Sequence, residues 1–258
     1  QAQLTGSSSM LRMHALQGLY PGGGSVFSPL VMGTEWNRSG RLGFAFLEDG
    51  WTGIDGTGEA TAMGSYSTSL GAFGAVCRVS GAGGFRESIV GIGYAMPVSA
   101  ALRMGVRLDR YAVGLPAMGM AVAWPVDISL SWQAGPNILA GISVYDPFRV
   151  SVPVRYAITP PRTVRVLMGF SLGKGIGLAL EWEAMERRAP SLAVLLSCQY
   201  GDRILVRLGW VSSGAQPMLL LGWKRKGLCV MVGAGWHPML GGHHGISCEW
   251  NTVSRTDR

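Results

Sequence analysis

The chain has 258 residues, of which 48% are hydrophobic, only 14% are charged and 39 are glycine, against typical globular usage of about 25% charged and about 7% glycine. Its net charge of +7 comes from dispersed arginines and only three lysines, Lys174, Lys224 and Lys226, a pattern that argues against a nucleic-acid partner. Charges, serines and glycines break every apolar stretch well short of the roughly 18 residues that mark a transmembrane helix.

The chain opens at Gln1 with no basic-then-apolar leader, and the expectation is a mature, exported form. Residues 1–29, ending in "GLYPGGGS", lack a period and are expected to form a periplasmic extension or a plug. Residues 30–258 are expected to form one barrel domain. From 41–49 onward the hydrophobic period is two, the spacing of strands. In 98–110, Leu102, Met104, Val106 and Leu108 alternate with Arg103, Gly105, Arg107 and Asp109. In 163–172, Val164, Val166, Met168, Phe170 and Leu172 alternate with Thr163, Arg165, Leu167, Gly169 and Ser171. In 176–184, Ile176, Leu178, Leu180 and Trp182 alternate with Gly177, Ala179, Glu181 and Glu183. "RILVRLGW", 203–210, sets Ile204, Val206, Leu208 and Trp210 against Arg203, Leu205, Arg207 and Gly209. Segments 190–200, 228–236 and 243–252 repeat the pattern.

A soluble sandwich also alternates, but its outward face is rich in Lys, Glu, Thr and Asp. Here the face opposite the greasy one is mainly glycine, serine and alanine with scattered arginine and glutamate. Such a face suits a confined interior, which predicts an all-β fold: a transmembrane, antiparallel, up-and-down β-barrel with apolar residues outside. Tyr94, Trp132, Trp182, Tyr200, Trp210, Trp236 and Trp250 fall near the ends of the apolar faces, where interfacial aromatic girdles belong.

Short connections such as "YSTS" (66–69), "MPVS" (96–99), "GKG" (173–175) and "KRKG" (224–227) alternate with longer ones such as "WTGIDGTG", "DPFRVSVPVRYAITPP" and "HPMLGGHH". Tight periplasmic turns and longer external loops are expected of such barrels. The series predicts 14 strands, or 16 if 117–124 and 148–157 are separate strands.

Lipid-facing charge is costly, so Arg103, Arg107, Arg165, Arg203 and Arg207 are expected to face the lumen, with Glu181, Glu183 and Glu249 as their carboxylate partners. Glu181 and Glu183 also have the spacing of a paired-carboxylate acid site. The nearby arginines favour a structural network instead. "GFSLGKG" fails as a phosphate loop, having three residues between its glycines and Gly175 after the lysine. His237, His243 and His244 could approach a metal, but adjacent histidines on a strand point to opposite faces. With His14 in the unpatterned leader, no hydrolase triad assembles. Cys77, Cys198, Cys229 and Cys248 lack metal-type spacing and read as small apolar side chains. No cofactor and no enzymatic activity is expected.

The runs "ILAGISVYDPFRV", "TVRVLMGFSLGKGIGLALEWE", "LAVLLSCQYGDRILVRLGW", "MLLLGWKRKGLCVMVGAGW" and "HPMLGGHHGISCEW" resemble the C-terminal half of FadL-like outer-membrane barrels of the PorV and PorQ type in Bacteroidota. Phe170 to Leu172, Glu181, Tyr200, Arg207 to Trp210 and His237 to Ile246 occupy the matching places. The chain is shorter than is usual there and its external loops are brief. The resemblance implies a non-enzymatic 14-stranded barrel in a Gram-negative outer membrane, an accessory or scaffold subunit of a protein-export (type IX secretion-like) or other assembly. Its expected partners are outer-membrane lipid, lipopolysaccharide and other proteins of the complex. The competing expectation is a FadL-like transporter for a small hydrophobic or anionic solute, attracted by Arg103, Arg107, Arg165 and Arg207.

Overall fold

The computed structural model describes residues 40–49, 58–68, 70–82, 84–115, 119–150, 160–173, 175–201, 203–213, 215–237 and 241–251. The expected plug or extension, 1–29, and most of the candidate strand 148–157 lie outside these residues. The described chain is all β. Its strands are β1 (Gly40–Asp49), β2 (Gly58–Thr68), β3 (Gly71–Ala82), β4 (Phe85–Pro97), β5 (Leu102–Leu115), β6 (Gly119–Ala123), β7 (Val126–Gly135) and β8 (Ile138–Tyr145). They continue as β9 (Thr163–Gly173), β10 (Ile176–Met185), β11 (Ser191–Tyr200), β12 (Ile204–Val211), β13 (Gln216–Arg225), β14 (Leu228–His237) and β15 (Gly241–Asn251).

All pairings are antiparallel, and they return on themselves. β1 pairs with β2 on one side and β15 on the other, while β5 pairs with β4 along one edge and with β7 and then β6 along the other. β6 and β7 keep one register against β5, Tyr111 facing Ala123 and Leu108 facing Val126. They are thus one stave interrupted at Trp124 and Pro125. Asp109 N donates to Pro125 O at 3.0 Å, but proline has no N–H to return, and the ladder breaks there. Fifteen strand segments therefore make 14 staves, and the segment 117–124 adds no stave of its own.

Alternation sets the two faces of this wall. Along β5, Arg107 is 1% exposed while its neighbours Val106 and Leu108 are 47% and 43% exposed. The same inversion runs round the described staves, with Ile92, Leu130, Ile142, Met168, Leu196, Leu221, Val232 and Ile246 all on the outer face and exposed. In water this surface would be an aggregation liability; in a bilayer it is the solvent-compatible face.

The aromatics collect at the two rims of this belt. Trp182, Trp210 and Trp236 face outward near the long-loop ends of β10, β12 and β14, joined by Trp124 at the β6–β7 break. At the short-turn end stand Trp132, Tyr200 and Trp250, joined by Tyr66, Phe73 and Trp223, with the ring of Tyr94 tilted against that of Phe73 at a centroid distance of 4.8 Å.

The "GKG" segment is the β9–β10 turn. Gly173 and Gly175 have φ of +85° and +78°, and a Cβ on Gly175 would lie 2.8 Å from Gln199 O, so both conformation and space call for glycine there.

Candidate functional site in the barrel lumen

β5 has an inner face of Arg103, Gly105, Arg107 and Asp109 because these are its odd positions. Arg107 and Asp109, two apart, lie side by side and form a bidentate pair, Nε to Oδ1 at 2.7 Å and Nη2 to Oδ2 at 2.7 Å. β7 brings a second carboxylate, Asp127, directly across from Arg107, with its Oδ2 3.5 Å from Nη2. β8 places Tyr145 beside Asp127. Both aspartates are fully buried. A guanidinium so enclosed is stable only with such carboxylates, and removing one partner of a buried pair typically costs about 3–5 kcal/mol.

A second node lies on β9 and β10. The register sets Arg165 opposite Glu183 and Leu167 opposite Glu181. Arg165 Nε reaches Glu183 Oε2 at 2.6 Å and stands 3.9 Å from Glu181 Oε1. The two carboxylates that sequence spacing brings together thus share one arginine, the arrangement of a structural clamp. A third node joins Glu59 of β2 to Arg78 of β3 at 2.6 Å, both side chains nearly fully buried.

The other lumen residues named from sequence are placed as follows. Arg207 is buried on the inner face of β12, between Ser197 and Leu220. Arg103 and Glu249 are half-buried on the inner faces of β5 and β15. Arg203 differs from expectation: it is exposed in the turn ahead of β12, which begins at Ile204. Its backbone carbonyl accepts from Lys224 N. The strand is one residue shorter than its sequence pattern suggests, which leaves this arginine at the rim.

Sequence reasoning left Glu59, Arg78, Asp109, Asp127 and Tyr145 out of the network. Asp109 was legible from its spacing to Arg107. Glu59 and Arg78 were not, because β2 turns Ala60, Ala62 and Gly64 outward and shows little apolar alternation.

Part of the inner wall is apolar. Leu195, Val211, Met218 and Leu220 cluster on β11, β12 and β13, and Met231 follows on β14. Inward glycines make this possible: a Cβ on Gly209 would lie 2.9 Å from Met218 Cε, and one on Gly222 would lie 2.9 Å from Met231 Cγ. A second inner cluster of Ile89, Tyr111, Val113, Ala121 and Ala123 is packed by Val150 from the loop after β8. Across the described inner faces, carboxylates match cations closely in number, so the lumen has no strong field of one sign.

Among the described residues no group of three or more His, Cys, Asp and Glu side chains is arranged for a metal. His244 is exposed on the outer face of β15; the side chains of His237 and His243 lie outside the described residues. The four cysteines form no disulfide; Cys77 is exposed outward and Cys229 buried inward.

No family model and no curated protein sequence matches the chain. Its fold nevertheless resembles those of solved structures. The Pseudomonas putida toluene transporter TodX superposes with a TM-score of 0.63 at 9% identity, over 92% of this chain and 96% of that one. The CymD monoaromatic hydrocarbon channel gives 0.64 at 12% identity, over 95% and 98%. The KdgM porin gives 0.50 at 8% identity, over 83% and 99%. The chain has the fold of an outer-membrane β-barrel. These neighbours are channels, transporters and porins; the PorV and PorQ type is not among them.

Proposed function

We propose that the chain is a channel-type barrel of a Gram-negative outer membrane that passes a small apolar solute and has no enzymatic activity. The observation that carries this reading is the division of the inner wall. Its arginines are already engaged, Arg107 by Asp109 and Arg165 by Glu183, whereas Leu195, Val211, Met218 and Leu220 pack into an uncharged, apolar cluster on the same inner wall. An anionic solute would have to displace a bidentate carboxylate from a buried guanidinium, which forfeits what it gains. An apolar solute needs no such exchange. The likeness of the fold to TodX and CymD, whose names state hydrocarbon cargo, supports the same choice. An accessory role in protein export has no counterpart among these neighbours.

Substitution of the apolar wall tests the reading. In cells whose outer membrane carries the barrel, Met218→Gln and Leu220→Glu should lower uptake of a small monoaromatic several-fold, while Leu221→Ala on the outer face leaves it unchanged. Heat-modifiable gel migration checks assembly of each variant. Unchanged uptake by an assembled Leu220→Glu barrel would remove the apolar wall from the route.

A further inference from the structure

The long-loop end of the barrel carries a basic patch that the lumen does not use. Arg149 lies in the loop after β8, Arg162 immediately precedes β9, and Arg187 and Arg188 turn the chain between β10 and β11; all four are exposed. They share one place on the rim, because Glu186 N donates to Arg162 O at 2.8 Å and Arg149 Nη2 donates to Glu186 Oε1 at 2.9 Å. The other nearby carboxylate, Asp146, is buried and accepts the N–H of Val150. Among the described residues, four guanidinium groups thus stand in solvent beside one partly exposed carboxylate, that of Glu186.

Their depth is set by the ladder. Arg162 and Glu186 continue β9 and β10 one step past the Thr163–Met185 pair, and Glu186 lies four residues beyond Trp182 of the aromatic rim. That is about 13 Å along a strand at about 3.3 Å per residue, or about 10 Å along the membrane normal at a tilt near 40°. The patch therefore stands just beyond the apolar belt, at the depth of lipid phosphates. Backbone geometry adds a second observation. Arg149 and Arg187 have φ of +53° and +66°, a left-handed conformation that favours glycine or asparagine, and such outliers concentrate where a side chain has a task.

We propose that this rim binds the phosphate groups of lipopolysaccharide in the outer leaflet. Arginine suits the role because its planar fork grips phosphate oxygens in bidentate fashion. The inference rests on the long loops facing the outside of an outer membrane; it does not depend on what crosses the lumen.

Binding to the purified full-length chain in detergent tests it. The probes are deep-rough lipopolysaccharide carrying its glucosamine phosphates, the same molecule dephosphorylated, and phosphatidylglycerol. A triple variant, Arg162→Gln/Arg187→Gln/Arg188→Gln, should bind the phosphorylated form at least tenfold more weakly than the unaltered chain. A matched variant at the opposite end, Arg203→Gln/Arg225→Gln/Lys226→Gln, removes the same charge and should stay within twofold. Dephosphorylated lipopolysaccharide and phosphatidylglycerol should each bind at least tenfold more weakly. The charge-preserving Arg162→Lys/Arg187→Lys/Arg188→Lys variant should fall between, and it gives the same readout if the glutamine triple does not assemble. Unaltered affinity in the rim variants, an equal loss at the opposite end, or equal binding of phosphatidylglycerol would overturn the proposal while leaving the channel reading untouched.

Discussion

Gly91 of β4 faces Asp109 of β5, and a Cβ at position 91 would overlap Asp109 Oδ1. The missing side chain on one stave is the space that the carboxylate of the next one fills. Gly91→Ala should therefore push Asp109 off Arg107. A loss of about 1–3 kcal/mol, typical of overpacking, should appear as a lower midpoint of heat-modifiable migration.

The buried and exposed ion pairs should behave differently. Arg107→Ala leaves Asp109 and Asp127 uncompensated in the wall and should destabilise the barrel by about 3–5 kcal/mol. Arg149→Ala breaks an exposed pair with Glu186 and should cost about 1 kcal/mol or less. Urea unfolding of the refolded barrel in lipid vesicles measures both.

Native cysteines report the inversion of the wall. A spin label on Cys77, in a chain keeping only that cysteine, should be accessible to lipid-soluble oxygen and shielded from a water-soluble nickel chelate. Cys229, buried on the inner face, should resist lipophilic thiol reagents in the folded barrel. Rapid labelling of Cys229 from the lipid phase would reverse the assignment of faces.

Charge on the outer face gives a further check. Leu208 is exposed on β12, between the inward Arg207 and Gly209. Leu208→Arg should cost about 2–4 kcal/mol in a bilayer, as arginine does near the midplane of the lipid face. Refolding yield and urea midpoint in vesicles are the readouts.

Much of this fold was legible because a two-residue period leaves little choice. Val106 and Leu108 on one face and Arg107 and Asp109 on the other can only be satisfied by a wall with opposite solvents on its two sides. The stave count of 14 followed from the turns. The proline in "AVAWPVDISLSW" marks where one stave is broken into β6 and β7, and only the common register against β5 reveals that the two pieces are one. Contacts within a strand, such as Arg107 with Asp109, could be read from spacing. Contacts across strands could be read only as a set, Glu181, Glu183 and Glu249 for the lumen arginines; Arg165 meets Glu183 because the β9–β10 turn fixes which residues face each other. Arg203 and Arg207 look equivalent in sequence, yet the start of β12 at Ile204 puts the first at the rim and the second in the wall. The apolar inner cluster was hidden for another reason. Leu195, Met218 and Leu220 fall on the face that alternation assigns to small and polar residues, and they fit there because glycines beside them give way.

The solute that the lumen admits distinguishes an apolar route from an anionic one. The most direct measurement is uptake of toluene and benzoate, matched in ring size, by porin-depleted cells with and without this chain in the outer membrane. Faster entry of toluene with benzoate unchanged is the result predicted from the engaged arginines and the apolar inner wall. Faster entry of benzoate with toluene unchanged would contradict it.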